Sequence, residues 1–161
     1  MPQVTAQTHV PIPPDLAYAV SQTHGDVRKR WDPFIRQQYF LDGATEPAVG
    51  VRTFTRARVG PAMISEYVSW RPPTSVGMTM RSGPWFFERF GGGWRFTADG
   101  DGTLAVWKYT YDVRPAWLAP IAHPIGQWLL GREITARINA FARACEDPVV
   151  LAAARESLTE G

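Results

Sequence analysis

Between residues 36 and 113 the chain alternates strand-length segments with short turns, and this pattern constrains the fold more than any other feature. The segments are rich in β-branched and aromatic residues, and the turns between them read LDGATEPAVG, VGPA, RPPTS, SGP and ADGDGT. Connections this short do not carry a crossover helix, so we predict a meander of antiparallel strands. The predicted strands lie near 36–42, 50–58, 62–71, 75–82, 92–99 and 103–113.

Helical patterns lie on both sides of this meander. After a strand over residues 3–10, Pro14 and Asp15 suit the first turn of a helix that runs to about Gln22. A second short helix is expected from Asp26 to Trp31, and Pro33 ends it. The last helix is long and amphipathic, from Pro124 to Glu146. Its apolar stripe comprises Gln127, Leu130, Ile134, Ile138, Phe141 and Cys145.

The size and composition predict a single globular domain over residues 1–161. The chain has 161 residues, of which 45% are apolar and 20% charged, which is enough for a core without disulfides. We place the core at about 3–146 and treat 147–161 as a tail that adds a helical turn or two. A net charge of +2 is low for a nucleic-acid binder, so no nucleic-acid partner is expected. The one dense basic run, Arg28–Arg30, is interpreted as a solvated helix face.

Cysteine, histidine and hydropathy patterns give expectations about compartment and cofactors. Cys145 is the single cysteine, so an intramolecular disulfide is impossible. His9, His24 and His123 are scattered and form no ligand pattern, so neither a metal site nor a cofactor is expected. No apolar stretch reaches the roughly 20 residues of a membrane span, and a cytoplasmic location is predicted. The sequence leaves the oligomeric state open.

The order of elements predicts an α+β fold in which a curved antiparallel sheet of about seven strands wraps around the C-terminal helix. Four segments resemble the SRPBCC or START-like superfamily of helix-grip proteins, in its polyketide cyclase/dehydrase-like branch. They read PDLAYAVSQTHGDVRKRWDP, GATEPAVGVRTFTR, YVSWRPPTSVGMTMRSGP and GGGWRFTADGDGTLAVWKYTYDVRP, and with the last helix the resemblance covers roughly residues 3–146. It implies a cavity between sheet and helix that holds a hydrophobic small molecule.

Strand alternation then selects the residues that would line this cavity. In the strand 62–71 we expect Ile64, Glu66, Val68 and Trp70 to face inward, since the apolar members match family positions. The same set of aromatic and aliphatic side chains would otherwise simply fill a core. The predicted ligand wall comprises Trp70, Val68, Met78, Met80, Trp94, Phe96, Trp107, Ile134, Ile138 and Phe141.

Acid–base chemistry would need polar side chains inside an apolar cavity. Glu66 is the predicted proton-transfer residue, because burial among apolar neighbours would raise its pKa. Tyr109 and Tyr111 would donate hydrogen bonds to a developing enolate oxygen. The alternatives are an arginine-paired surface glutamate and two tyrosines that serve only as wall residues.

Two segments allow more than one interpretation. In the strand 50–58 three arginines share one face, which favours an outward orientation, although an inward Arg52 would suit an anion or a carbonyl group. The segment 83–93, GPWFFERFGGG, reads either as a bulged strand or as an aromatic flap over the cavity mouth. The bulged strand is the simpler interpretation.

Three functional hypotheses follow. The first is a binding protein for a lipid, polyketide or isoprenoid-like molecule. The second is a polyketide cyclase, aromatase or dehydratase that uses acid–base residues in the same cavity. The third is a scaffold with a filled core and no ligand. A cavity distinguishes the third from the first two, and turnover distinguishes the second from the first.

Overall fold

The computed structural model describes residues 1–160 and shows one seven-stranded sheet with four α-helices. A short 3₁₀ turn, Ala116–Leu118, precedes the third helix. The strands are β1 (Gln3–Val10), β2 (Ile35–Phe40), β3 (Arg52–Ala57), β4 (Ala62–Arg71), β5 (Ser75–Ser82), β6 (Phe87–Asp99) and β7 (Gly102–Val113). The helices are α1 (Pro14–Ser21), α2 (Gly25–Trp31), α3 (Ala119–Ala144) and α4 (Pro148–Glu160).

The sheet is antiparallel throughout, in the order β1-β7-β6-β5-β4-β3-β2. Strands β2 to β7 form the predicted meander, and β1 closes the order by pairing with β7. The sheet curls around α3, which packs on β1 and β7. This confirms the predicted α+β helix-grip architecture, including the two short helices after the first strand.

Three element boundaries differ from the prediction. Strand β6 begins at Phe87, five residues earlier than expected, with a register shift between Phe87 and Arg89. Most of the segment 83–93 is therefore a bulged strand, as the simpler interpretation held. Helix α3 begins at Ala119, before Pro124. Residues 148–160, predicted as a turn or two, form the 13-residue helix α4.

The core lies where the C-terminal half of α3 is pressed against the sheet. Ile134, Ile138 and Phe141 are at most 2% exposed, as their helical spacing predicts. The Phe141 ring lies 4.8 Å from that of Trp94, which in turn stacks on Trp107 at 4.1 Å. This aromatic contact fills the space between helix and sheet at that end of the molecule.

An irregularity in β4 breaks the alternation on which the predicted orientation of Glu66 and Val68 depended. The pairing of β4 with β5 shifts register between Tyr67 and Ser69, so strict alternation does not continue to Trp70. Tyr67 and Trp70 pack together, with ring centroids 5.6 Å apart, although their spacing assigned them to opposite faces. Glu66 and Val68 are left on the convex face, which contradicts their predicted inward orientation.

Candidate ligand cavity

A cavity of about 850 Å³ lies between the concave face of the sheet and the N-terminal half of α3. This volume is within the roughly 300–1,000 Å³ range of small-molecule sites. The wall is mainly apolar and aromatic, and its residues come from β2 to β7 and from α3. Its apolar members include Met63, Val76, Met78, Met80, Phe90 and Leu130.

The structure places some predicted wall residues at this cavity and others elsewhere. Those that line it are Met78, Met80, Trp94, Trp107, Tyr109 and Tyr111. Those that do not are Glu66, Val68, Trp70, Phe96, Ile134, Ile138 and Phe141. Phe96 and the three residues of α3 are buried in the core instead, because helix and sheet are in direct contact there. From α3 the cavity wall includes Ile125, Gly126 and Leu130, which lie toward the N-terminus from these core residues.

One end of the cavity is built on a buried ionic cluster centred on Asp32. The Asp32 carboxylate has no exposed surface and accepts hydrogen bonds from Arg28 Nε at 2.9 Å and Arg137 Nη2 at 2.7 Å. Pro33 ends α2 just after this residue, and the Phe34 amide donates to Asp32 Oδ1 at 3.1 Å. Arg28 and Arg137 both line the cavity, so the Asp32 carboxylate holds two guanidinium groups at the cavity wall.

The arginines also lie against aromatic rings. The Arg137 guanidinium is 4.2 Å from the ring centroid of Trp107 and 4.6 Å from that of Phe34. The Arg28 guanidinium is 4.6 Å from the ring of Trp31, whose indole N–H donates to Thr23 at 2.9 Å. These contacts fix the orientation of both side chains in an environment of low polarity.

The electrostatics of the cluster follow from burial and from this pairing. Burial alone would raise the pKa of Asp32, but Arg137 and Arg28 outweigh it and lower that pKa to about 2. For the basic Arg137 the effects are opposite: burial alone would lower its pKa, but Asp32 and Tyr109 raise it. Burial lowers the pKa of Arg28 and Asp32 opposes this shift, but an arginine side chain stays protonated near neutral pH. The three groups together therefore carry one positive charge.

Glu133 and Tyr109 extend the cluster into the cavity. The Tyr109 hydroxyl accepts a hydrogen bond from Arg137 and donates its own proton to Glu133 Oε1 at 3.2 Å. Burial raises the pKa of Glu133, while Arg137 and the hydrogen bond from Tyr109 oppose the shift. Burial also raises the pKa of Tyr109. Glu133 is thus a carboxyl group at an apolar cavity wall, with a proton donor beside it.

Two further polar side chains line the cavity. The Oε1 atom of Gln38 is buried and has no hydrogen-bond partner among residues 1–160. The Tyr111 hydroxyl donates to the backbone carbonyl of His123 at 2.9 Å, where Gly126 leaves room for the ring. The predicted hydrogen bond from Tyr111 to a substrate therefore competes with an existing partner.

Glu66, the predicted acid–base residue, lies on the opposite side of the sheet. It accepts from Arg81 Nη2 at 2.6 Å and from Arg52 Nε at 3.3 Å. These two hydrogen bonds lower its pKa, which is the reverse of the expected effect of burial. The outward orientation of the arginines in β3 is confirmed, while Thr53 and Thr55 line the cavity.

The residues that sequence reasoning missed are Arg28, Arg137 and Glu133. The basic run that contains Arg28 was interpreted as solvated, but this side chain is buried. Its spacing of four residues from Asp32 was a usable signal for a pair at the helix end. Arg137 falls between Ile134 and Ile138 on the buried stripe, where a charged residue needs a partner. Nothing in the sequence joined Arg137 to Asp32.

Searches of the described residues for a metal centre and for a membrane span give negative results. Within residues 1–160 no group of three histidine, cysteine or acidic side chains is arranged to hold a metal ion. Within the same range no helix is both long and apolar enough to cross a bilayer.

The sheet curled around α3 and the cavity between them define a START-like helix-grip protein. The family model described as "Polyketide cyclase / dehydrase and lipid transport" matches residues 1–146, and the chain belongs to this family. Helix α4 lies beyond the matched residues. A comparison with curated proteins returns no match.

Solved structures show the same fold at low sequence identity. A protein from Thermus thermophilus is 20% identical with a TM-score of 0.74, covering 94% of this chain and 99% of its own. A START superfamily protein from Mycobacterium smegmatis is 13% identical with a TM-score of 0.73, covering 89% and 97%. The di-domain ARO/CYC StfQ of the steffimycin biosynthetic pathway is 14% identical with a TM-score of 0.74, covering 89% of this chain and 50% of its own.

Proposed function

We propose that this protein binds a hydrophobic small molecule of the lipid, polyketide or isoprenoid kind in the cavity beside α3. The observation that carries the proposal is the cavity itself, about 850 Å³ with a mainly apolar wall. A filled scaffold would leave no such volume. The Glu133 carboxyl group supplies an acceptor at this wall, so the expected ligand carries a hydroxyl or enol donor on an otherwise apolar body.

The family and the solved structures support the same proposal. The family description includes lipid transport, and StfQ is described as an ARO/CYC protein of a biosynthetic pathway. Carriage and cyclisation both need a cavity that excludes water from a long apolar molecule. The chemical class of ligand is therefore shared by the first two functional hypotheses.

The test is native mass spectrometry of the purified protein, followed by denaturing extraction and identification of any released compound. We expect an apolar compound in stoichiometric amount, or, for protein purified without one, binding of the probe N-phenyl-1-naphthylamine. Ser65→Trp places a large ring in the cavity and should abolish binding. Val68→Trp, on the other face of the same strand, is the matched control and should bind normally. Equal binding by both variants would place the ligand outside this cavity.

A second candidate function, acid–base catalysis on a polyketide-like ketone, is favoured by the pairing of Glu133 with Tyr109. A ketone oxygen that accepts a hydrogen bond from the Tyr109 hydroxyl would free Glu133 to remove a proton from the adjacent carbon. For a β-hydroxyketone, Glu133 then returns that proton to the departing hydroxyl, and the products are an enone and water. This scheme assigns to Glu133 the role that the sequence assigned to Glu66.

The ultraviolet absorbance of the enone product measures the dehydration reaction. Glu133→Gln should retain the probe and lose turnover, whereas Glu66→Gln should retain both. Wild-type protein that binds β-hydroxyketones without converting them would leave binding as the function.

A further inference from the structure

The charged side chains at the cavity wall do not balance one another. In residues 1–160 three arginines and one glutamate line the cavity, namely Arg28, Arg114, Arg137 and Glu133. Arg28 and Arg137 lie at the same end of the cavity because both donate to Asp32, whose carboxylate has no exposed surface. Glu133 is therefore the acidic side chain that a ligand at this end would meet.

The net charge of this end depends on the protonation state of Glu133. Asp32 compensates one of its two arginine partners, so these three groups together carry one positive charge. The Glu133 carboxylate can compensate that charge, since its Oε1 atom is 3.9 Å from Arg137 Nη1. Ionised Glu133 thus leaves the cluster neutral, whereas protonated Glu133 leaves a positive charge without a counter-charge beside an apolar cavity.

The Glu133 carboxyl group is held more loosely than that of Asp32. It accepts a hydrogen bond from the Tyr109 hydroxyl at 3.2 Å, whereas Asp32 accepts hydrogen bonds from both arginines. The Glu133 side chain is 29% exposed and lines the cavity, so a ligand there would displace the water that solvates it. Burial already raises the pKa of Glu133, although Arg137 opposes the shift. Loss of that water would raise the pKa further.

We propose that the anionic group of a ligand replaces Glu133 as the counter-charge of the cluster, and that Glu133 takes up a proton from solvent when such a ligand binds. This exchange of charge rests on the proposed function and makes a long apolar carboxylic acid the expected class of ligand. Two adjacent carboxyl groups in an apolar site do not both ionise, so they share one proton. The ligand carboxylate accepts a hydrogen bond from protonated Glu133 and is attracted by the positive charge of the cluster.

The test compares dodecanoic acid with dodecanol, which has the same chain length and no charge, by their displacement of N-phenyl-1-naphthylamine. At about pH 6 we expect the acid to bind roughly tenfold more tightly than the alcohol, because its carboxylate forms a charge-assisted hydrogen bond. Between about pH 6 and pH 8 the affinity for the acid should fall about tenfold, since ionised Glu133 must first be protonated. The affinity for the alcohol should not fall, because its hydroxyl donates to the ionised carboxylate.

Calorimetry counts the proton directly. Titration of the full chain with dodecanoate at about pH 8, in two buffers of different ionisation enthalpy, should show uptake of about one proton per ligand. Glu133→Gln keeps the cluster positive at every pH, so at about pH 8 it should take up no proton and bind dodecanoate roughly tenfold more tightly than the wild type. Glu66→Gln, which removes a glutamate from the convex face, is the matched control and should behave like the wild type.

Three results would overturn this exchange of charge. They are equal affinity for the acid and the alcohol, no proton uptake by the wild type, and a pH dependence that persists in Glu133→Gln. The last result would assign the proton to another group at the wall, such as His24. N-phenyl-1-naphthylamine binding by Glu133→Gln verifies that its cavity is intact, and the proton count for the wild type needs no variant. Wild-type protein that binds neither the probe nor dodecanoate nor dodecanol would overturn the proposed function as well.

Discussion

At the scale of single residues, the two acidic side chains with paired arginines show how environment sets the role of a charge. Asp32 and Glu66 each accept hydrogen bonds from two arginines. Asp32 is fully buried, and its two arginine partners are each only 8% exposed. Glu66 and its partners lie on the wet face of the sheet, where such pairs contribute little. Pairing with two arginines therefore contributes more to the stability of the folded state at Asp32 than at Glu66.

We predict that Asp32→Asn lowers the free energy of unfolding by about 3–5 kcal/mol, because it leaves two buried cations without their counter-charge. Urea denaturation monitored by circular dichroism gives the value. Glu66→Gln is the matched control, since it removes an acid with the same number of arginine partners, and it should unfold close to the wild type. Similar midpoints for the two variants would show that the cluster at Asp32 is solvated.

Acid should destabilise the protein through the same residue. The pKa of Asp32 is lowered from 3.8 to about 2 on folding, so the unfolded chain binds this proton first as the pH falls. The stabilisation is complete above about pH 4 and is lost as the pH falls toward 2. It amounts to about 2 kcal/mol. Chemical denaturation at intervals across this range would show the loss, and a stability independent of pH there would contradict it.

At the scale of elements, helix α4 is an addition to the part of the chain that the family model matches. It packs along α1, and its buried residues are Val150 and Ala154. Arg30 of α2 donates to Asp147 at 2.8 Å just before the helix begins. The segment reads PVVLAAARESLTE, and its sequence predicted no more than a helical turn or two. Its docking on α1 therefore depends on a surface that another element provides.

We expect Val150→Ala to lower the free energy of unfolding by about 2 kcal/mol, from lost burial and the cavity left behind. The adjacent Val149 is 52% exposed, and Val149→Ala should change stability by less than about 0.5 kcal/mol. Thermal and urea unfolding of the pair would measure both. Equal effects would mean that α4 is not docked on α1 in solution.

At the scale of the whole molecule, the fold separates a packed end from an open end along one helix. The C-terminal half of α3 lies on the sheet through Ile138 and Phe141, and the N-terminal half stands over the cavity with Ile125 at its mouth. A ligand in the cavity would supply the contacts that the open end lacks. Its binding free energy then adds to the stability of the folded state.

A bound ligand should therefore raise the melting temperature. At a concentration 100 times its Kd the stabilisation is about 2.7 kcal/mol, or roughly 5–10 °C for a chain of this length. N-phenyl-1-naphthylamine or an extracted compound serves as the probe in differential scanning calorimetry. Ser65→Trp should show no shift, and Val68→Trp should show the full one. A shift in the Ser65 variant would mean that the probe binds elsewhere.

Features that depend on residues close together along the chain could be predicted without a structure. Turn residues marked the six strands from 36 to 113, and apolar spacing marked the helix from Ile134 to Phe141. These patterns are local, and together with the order of elements they were sufficient for the fold and the family.

The set of side chains that meet at the cavity depends on contacts between elements that are far apart in the sequence. The register shift between Tyr67 and Ser69 places Trp70 on the same side of β4 as Tyr67, so counting alternate residues back from Trp70 put Glu66 on the wrong face. Alternation cannot reveal a shift that arises from pairing with another strand. Arg137 and Asp32 are 105 residues apart, so their contact exists only because α3 crosses the end of α2. The position of Arg137 on the buried stripe showed that it needs a partner but not which residue supplies it. Packing buries Arg137 and Asp32 together, and the same packing makes Glu133, rather than Glu66, the carboxyl group at the cavity wall.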